Sequence, residues 1–290
     1  MASGTGLGSR VRCSERSLAK RGSVGGVKAA IFTTCVMDLM FPAVGIAAVE
    51  VLERLGVETE VPEKQVCCGQ PTFNSGYVKE SMKIIRNQID AFADAEYVVG
   101  LAGSCTGMFT EYPHLFDDGD PYQAKAEELL AKSYEFTQFI YHKLGRTDVG
   151  ASFDPGTTGT YHRSCHMTRI LGEKDAPYAL LDAVQGLEMV DLPNKQNCCG
   201  FGGTFSVKEP EMSEKMVTEK VNSIRSTGAD VLISADLGCL MNIGGKLNRD
   251  HTPITVMHIA EVLNHRATDS LSLDSATAGN ALAQNDSKGA

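Results

Sequence analysis

The sequence carries no surplus of positive charge. Its 27 Lys and Arg residues are outnumbered by 36 Asp and Glu, a formal net charge of −9. A nucleic acid or an anionic membrane needs a basic face, so neither is expected as a partner. No apolar run approaches the ~18 residues of a spanning helix, and no membrane-spanning segment is expected. The start has Arg10, Arg12, Arg16, Lys20 and Arg21 but no apolar stretch of the secretory kind, which argues against an export signal. Segment 1–27 therefore reads as a disordered extension, with a transit peptide or an upstream alternative start as the other readings. The tail 267–290 is short of large apolar residues and is expected to be disordered too; His258 to Leu263 is expected to be the last ordered helix. A P-loop is missing. Gly4-Thr5-Gly6-Leu7-Gly8 precedes any predicted strand and does not qualify as a dinucleotide fingerprint, so neither NAD nor flavin is expected on this chain.

Two cysteine patterns are also missing. Structural zinc sites usually carry C-x2–4-C pairs, and ferredoxin-type clusters use C-x2-C-x2-C runs; the chain has neither. A disulfide framework fits poorly. Without export the expected location is cytoplasmic, where thiols stay reduced, the count of nine cysteines is odd, and adjacent cysteines bridge only under strain. What is present is an arrangement that occurs twice. The first set is Cys35, Cys67-Cys68-Gly69 and Cys105; the second is Cys165, Cys198-Cys199-Gly200 and Cys239. Only Cys13 falls outside, and it reads as an incidental free thiol. Four soft ligands in each half suit zinc or an iron–sulfur centre, and spacing does not choose between them.

The repeat extends beyond cysteine. Gly56 follows Cys35 by 21 residues and Gly186 follows Cys165 by 21; Pro62 and Pro193 each precede an adjacent pair by five. Thr72-Phe73 and Thr204-Phe205 follow the pairs. Ala95 to Val99 stands before Cys105 as Ala229 to Ile233 stands before Cys239. The chain is thus a duplicated unit, 28–150 and 151–266, each of normal domain size. Both glycines are expected at helix C′ positions, where a left-handed backbone favours Gly.

Within each unit strands and helices alternate. Val27 to Thr33, Val57 to Val61 and Tyr97 to Leu101 read as strands, as do Gly159 to His162, Leu187 to Leu192 and Val231 to Ser234. Pro42 and Pro177 open helices. Apolar steps of three and four mark longer ones through Val78, Met82, Ile85, Ile89 and Phe92 and through Met212, Met216, Val217, Val221 and Ile224. The expected fold class is α/β: two duplicated βαβ-type units with mainly parallel sheets. The cysteines fall past strand C-terminal ends, in loops before helices, where open α/β sheets bind ligands. Helix N-termini there favour thiolates. Gly69, Gly200, Gly202 and Gly203 suit either close approach of backbone to an inorganic core or a tight strand–helix turn. His162 and His166 flank Cys165 as candidate ligands, sulfur hydrogen-bond donors or acid–base groups, or as plain polar loop residues. Arg163 and Arg169 are candidates for pairing with a carboxylate or for neutralising a cluster. A convincing catalytic base is not evident.

Longer motifs carry a resemblance. Cys67-Cys68-Gly69-Gln70-Pro71, Gly103-Ser104-Cys105, Glu111-Tyr112-Pro113-His114-Leu115-Phe116, Cys165-His166-Met167-Thr168-Arg169, Asn197-Cys198-Cys199-Gly200-Phe201-Gly202-Gly203-Thr204-Phe205 and Gly238-Cys239-Leu240-Met241-Asn242 resemble the lactate utilization protein A family. That family is related to the CCG domains of heterodisulfide reductase B and glycolate oxidase iron–sulfur subunits, and the likeness spans about residues 28–265. It implies that Cys35, Cys67, Cys68, Cys105, Cys165, Cys198, Cys199 and Cys239 ligate two iron–sulfur clusters. It also implies that the chain is one component of an oxidoreductase that converts L-lactate to pyruvate with partner proteins B and C. The wider CCG pattern has a fifth cysteine in each unit; here Met108 and Asn242 stand in its place. Four thiolates suffice for a [4Fe–4S] cube, so two such clusters are expected. A heterodisulfide-reductase-like thiol–disulfide enzyme and a zinc-stabilised adaptor are the alternative functions.

Overall fold

The computed structural model describes residues 26–269. The terminal segments read as disordered, Cys13 and the Gly4 to Gly8 stretch lie largely or wholly outside that range.

The first half runs β1 (Lys28–Phe32), α1 (Cys35–Met40), α2 (Pro42–Arg54), β2 (Glu58–Glu60), α3 (Gln70–Asn74), α4 (Val78–Ala91), β3 (Tyr97–Gly100), α5 (Gly103–Met108), α6 (Pro121–Lys132), β4 (Ser133–Glu135) and α7 (Phe136–Gln138). The second half runs β5 (Ser152–His162), α8 (Cys165–Arg169), α9 (Ala176–Leu181), β6 (Gln185–Met189), α10 (Phe205–Lys208), α11 (Pro210–Arg225), β7 (Val231–Ser234), α12 (Leu237–Arg249), β8 (Thr255–His258) and α13 (Ile259–Asn264). Two four-stranded sheets result, β2-β1-β3-β4 and β6-β5-β7-β8, and every pairing is parallel. The α/β class with duplicated parallel units is thus what the chain adopts.

Strand alternation shows why both faces are covered. Ala29 and Ile31 of β1 enter one core cluster while Ala30 and Phe32 enter another, because successive side chains leave opposite faces of a strand. The larger cluster takes Ile31, Val51 and Phe139 from the first half and Val221, Ile233 and Leu263 from the second. The halves therefore share one core. α13 lies against α2, and Arg54 closes the joint by donating to the carbonyls of Val149 at 3.1 Å and Leu263 at 3.4 Å.

Three expectations need correction. Each sheet has four strands, not the three read from the sequence. Ser133–Glu135 is too short for a period to show, and His258, expected to start the last helix, instead ends β8 and caps α13. Gly56 does follow a helix with φ +83°, but Gly186, φ +79°, is the second residue of β6. A Cβ at Gly186 would lie 2.2 Å from the Phe153 carbonyl oxygen, so close strand packing, not a helix end, demands glycine there. Finally, Cys35, Cys105, Cys165 and Cys239 sit inside the first turns of α1, α5, α8 and α12, not in the loops ahead of them.

Candidate metal centres

Each half brings its four cysteines to the C-terminal edge of its sheet. Cys35 and Cys165 open α1 and α8, whose first turns are capped by Thr34 and Ser164: each hydroxyl accepts from the backbone N–H two residues past the cysteine, at 3.4 Å and 3.3 Å. Cys105 and Cys239 are third residues of α5 and α12. The adjacent pairs arrive on the segments before α3 and α10, turned by Gly69 (φ +83°) and Gly200 (φ +82°). Gly202 and Gly203 are also left-handed, at +54° and +62°. Gly200 is further hemmed in, since a Cβ there would sit 2.8 Å from the Ser213 carbonyl oxygen.

One thiol–thiol contact stands out in each half, between different members of the set. Cys35 Sγ lies 3.7 Å from Cys67 Sγ, and Cys199 Sγ lies 3.0 Å from Cys239 Sγ. The first thiol of each adjacent pair is the acidic one. Cys67 is held far below the usual thiol range by hydrogen bonds from Cys35 and Cys68, and Cys198 by those from Cys165 and Cys199; the N–H of Gly69 or Gly200 adds to this. The donors are pushed up in turn: Cys35 by Cys67, Cys165 by Cys198, Cys68 by Cys105 and Cys67, and Cys199 by Cys198 and Cys239. Four converging sulfurs, one already favouring the thiolate, are a donor set for a soft metal centre.

The positions where a fifth cysteine would stand are otherwise engaged. Met108 is buried in the first-half core. Asn242 donates to the Cys199 carbonyl at 2.9 Å, matching Tyr112, whose hydroxyl donates to the Cys68 carbonyl at 2.7 Å. Each pair is thus anchored by its second carbonyl.

The two candidate centres are joined through polar groups, of which sequence reading singled out only His166. Ala102 cannot cap α5. Asp236 of the other half does so: one carboxylate oxygen accepts from Ser104 N at 2.9 Å, and the other accepts from Cys239 N of its own helix at 3.4 Å. Gln70, next to the first pair, donates through Nε2 to the Ser104 carbonyl and to His166 Nε2, each at 3.2 Å. That bond leaves the His166 proton on Nδ1, 3.5 Å from Cys165 Sγ. An Asp three residues before Cys239 is a legible capping signal; that it also caps a helix 132 residues away in sequence is not.

His162 is 1% exposed, and neither ring nitrogen has a hydrogen-bond partner. Burial, reinforced by the Lys220 charge, lowers its pKa to about 3, so it is neutral. Lys220 is also 1% exposed, donates to the Asn194 carbonyl at 3.0 Å, and feels the charges of Cys199, Cys239 and Cys198. Burial lowers its pKa, and those sulfurs oppose the shift. Arg163 lies 6.0 Å from the Tyr178 ring centre, and Arg169 donates to the Gln196 carbonyl at 3.4 Å.

The family model described as a cysteine-rich domain, CCG, matches residues 29–110 and again 159–244. Lactate utilization protein A of Bacillus pumilus is 59% identical over 240 residues, covering 83% of this chain and 100% of that protein. The proteins of the same name from Geobacillus thermodenitrificans and Bacillus subtilis are 56% and 55% identical over 240 residues, with the same coverage. No helix among the described residues is long and apolar enough to cross a membrane.

Proposed function

The chain belongs to the lactate utilization protein A family, and on that footing we propose that it is an iron–sulfur electron-transfer component of a multi-protein system oxidising L-lactate to pyruvate. This reading is carried by two matching four-thiol sets, each with two cysteines in helix first turns and an adjacent pair on a glycine-turned segment. Cys35, Cys67, Cys68 and Cys105 would hold one [4Fe–4S] cluster in the unit 28–150, and Cys165, Cys198, Cys199 and Cys239 the other in the unit 151–266. When bound, such clusters supply reversible one-electron transfer. Oxidation of lactate to pyruvate releases two electrons and two protons, which suits a chain with two one-electron sites and partner proteins B and C to exchange electrons with. The residues of this chain hold the thiolates, direct helix N–H groups at them, and place the Lys220 charge beside the second set. The proposed setting is the cytoplasm, where the thiols remain reduced.

Anaerobic purification followed by iron, sulfide and zinc quantitation and EPR of the reduced protein tests this. About eight iron and eight sulfide per chain are expected. A Cys198→Ser variant should lose the second-half signal and keep the first; loss of both without unfolding would refute two independent centres. A second reading is zinc, favoured in the first half by the 3.7 Å Cys35–Cys67 separation. The edge of a thiolate tetrahedron about zinc is ~3.8 Å, from a Zn–S bond of ~2.3 Å. Zinc without sulfide would establish it in place of the clusters.

A further inference from the structure

The two halves are near copies, and one departure lies at the metal edge. His162 ends β5 opposite Ser234 of β7, as Phe32 ends β1 opposite Gly100 of β3. Each residue stands three positions before the first cysteine of its set. In the first half the Phe32 ring is absorbed by the core, stacked on Phe109 at 5.2 Å and edge-on to Phe92 at 5.8 Å. In the second half that location holds an imidazole, and its ligand nitrogen lies within 4.8 Å of the sulfurs of both Cys199 and Cys239.

An imidazole buried with both nitrogens unpartnered is costly, roughly 1–3 kcal/mol for each group left without a bond. A core histidine is ordinarily satisfied by a carbonyl or carboxylate, yet His162 lies beside two sulfurs and has the Lys220 charge acting on it. Lysine is a donor only and cannot satisfy the ring N–H. Imidazole beside thiolates is a mixed N/S donor set that zinc and iron both accept. A second difference accompanies the first: the place of Lys220 on α11 corresponds to Gln88 on α4, also buried, which accepts from Val66 N at 2.7 Å. The second half therefore has a nitrogen ligand and a cation where the first has a phenyl ring and an amide.

We propose that His162 is a direct nitrogen ligand of the second-half centre, in place of one of the four thiolates assigned to it above, so that this centre has mixed sulfur and nitrogen ligation while the first is held by sulfur alone. The inference rests on the reading that the paired cysteines bind metal. It makes the duplicated sites chemically unequal, which gives an electron or a bound group a preferred half.

X-ray absorption at the edge of the bound metal tests it on anaerobic full-length protein in a Cys67→Ser background, which leaves the second centre loaded. Metal content and a circular-dichroism melt are recorded on each sample. A nitrogen shell near ~2.0–2.1 Å beside the sulfur shell is expected. It should vanish in His162→Phe, which restores the first-half residue, and in His162→Gln, with the sulfur shell retained. An all-sulfur shell that is the same with and without His162 overturns the proposal while leaving the thiolate centres standing. Absence of bound metal from the unsubstituted full-length chain overturns both.

Discussion

Asp236 ties together the two helices that carry Cys105 and Cys239. It is 4% exposed, caps its own helix through Cys239 N, and caps the opposite half through Ser104 N. Replacing it with Ala removes an N-cap, about 1 kcal/mol, and leaves the Ser104 N–H without its charged acceptor, roughly 1–3 kcal/mol more. The sum is ~2–4 kcal/mol, which for a domain of this size is a fall in Tm of roughly 5–15 °C. Asp236→Asn keeps the shape and one acceptor oxygen and should lose about half as much. Thermal unfolding of the anaerobic protein followed by far-UV circular dichroism reads both. Metal content of the Ala variant should fall in both halves, because Cys105 and Cys239 ride on the two helices concerned. An Ala variant melting within about 2 °C of the parent would refute the double-cap reasoning. So would an Asn variant as damaged as the Ala variant.

The corresponding turn glycines should respond unequally. At Gly69 and Gly200 alanine incurs left-handed strain of roughly 1–2 kcal/mol, but at Gly200 its Cβ would also press on Ser213 O at 2.8 Å and Met216 Cβ at 3.0 Å, against 3.4 Å to Ile85 at Gly69. Gly200→Ala should therefore destabilise by ~1–3 kcal/mol more than Gly69→Ala in denaturant titration, and equal effects would contradict the packing argument. His258 gives a pH prediction. Burial lowers its folded pKa to about 4 from 6.5, opposed by the carbonyls of Ala235 and Leu101. Below the unfolded pKa the unfolded chain takes up a proton that the folded chain refuses, so stability is present above pH 6.5 and falls as pH drops towards 4. His258→Asn, which can still cap α13, should reduce that slope by about one proton, ~1.4 kcal/mol per pH unit. An unchanged slope would show that His258 is not the titrating group; His162, shifted the same way, leaves a remainder.

Much of the fold is legible because the signals are local. The apolar steps from Val78 to Ile89 and from Met212 to Ile224 mark helices that form at those places, since burial on one face imposes a period of 3.6. The runs at Lys28–Phe32 and Val231–Ser234 are strands buried on both faces. The fourth strands escape notice because three residues at Ser133–Glu135 cannot display a period, and Thr255–His258 merges with the helix after it. Gly186 shows the same limit: its positive φ agrees with a helix-end reading, but its neighbour is the Phe153 backbone.

For the site, sequence alone determined which thiols exist, that they come in two matching sets, and that each set lies at the ends of strands. Those properties follow from residue identity and chain order. Only the tertiary structure decided how the sets relate. Asp236 capping the helix of Cys105, Gln70 orienting His166, and one core shared by both sheets all join residues far apart in the chain. No local period or propensity encodes such pairs, because their energy comes from desolvated groups that meet only after both halves have packed.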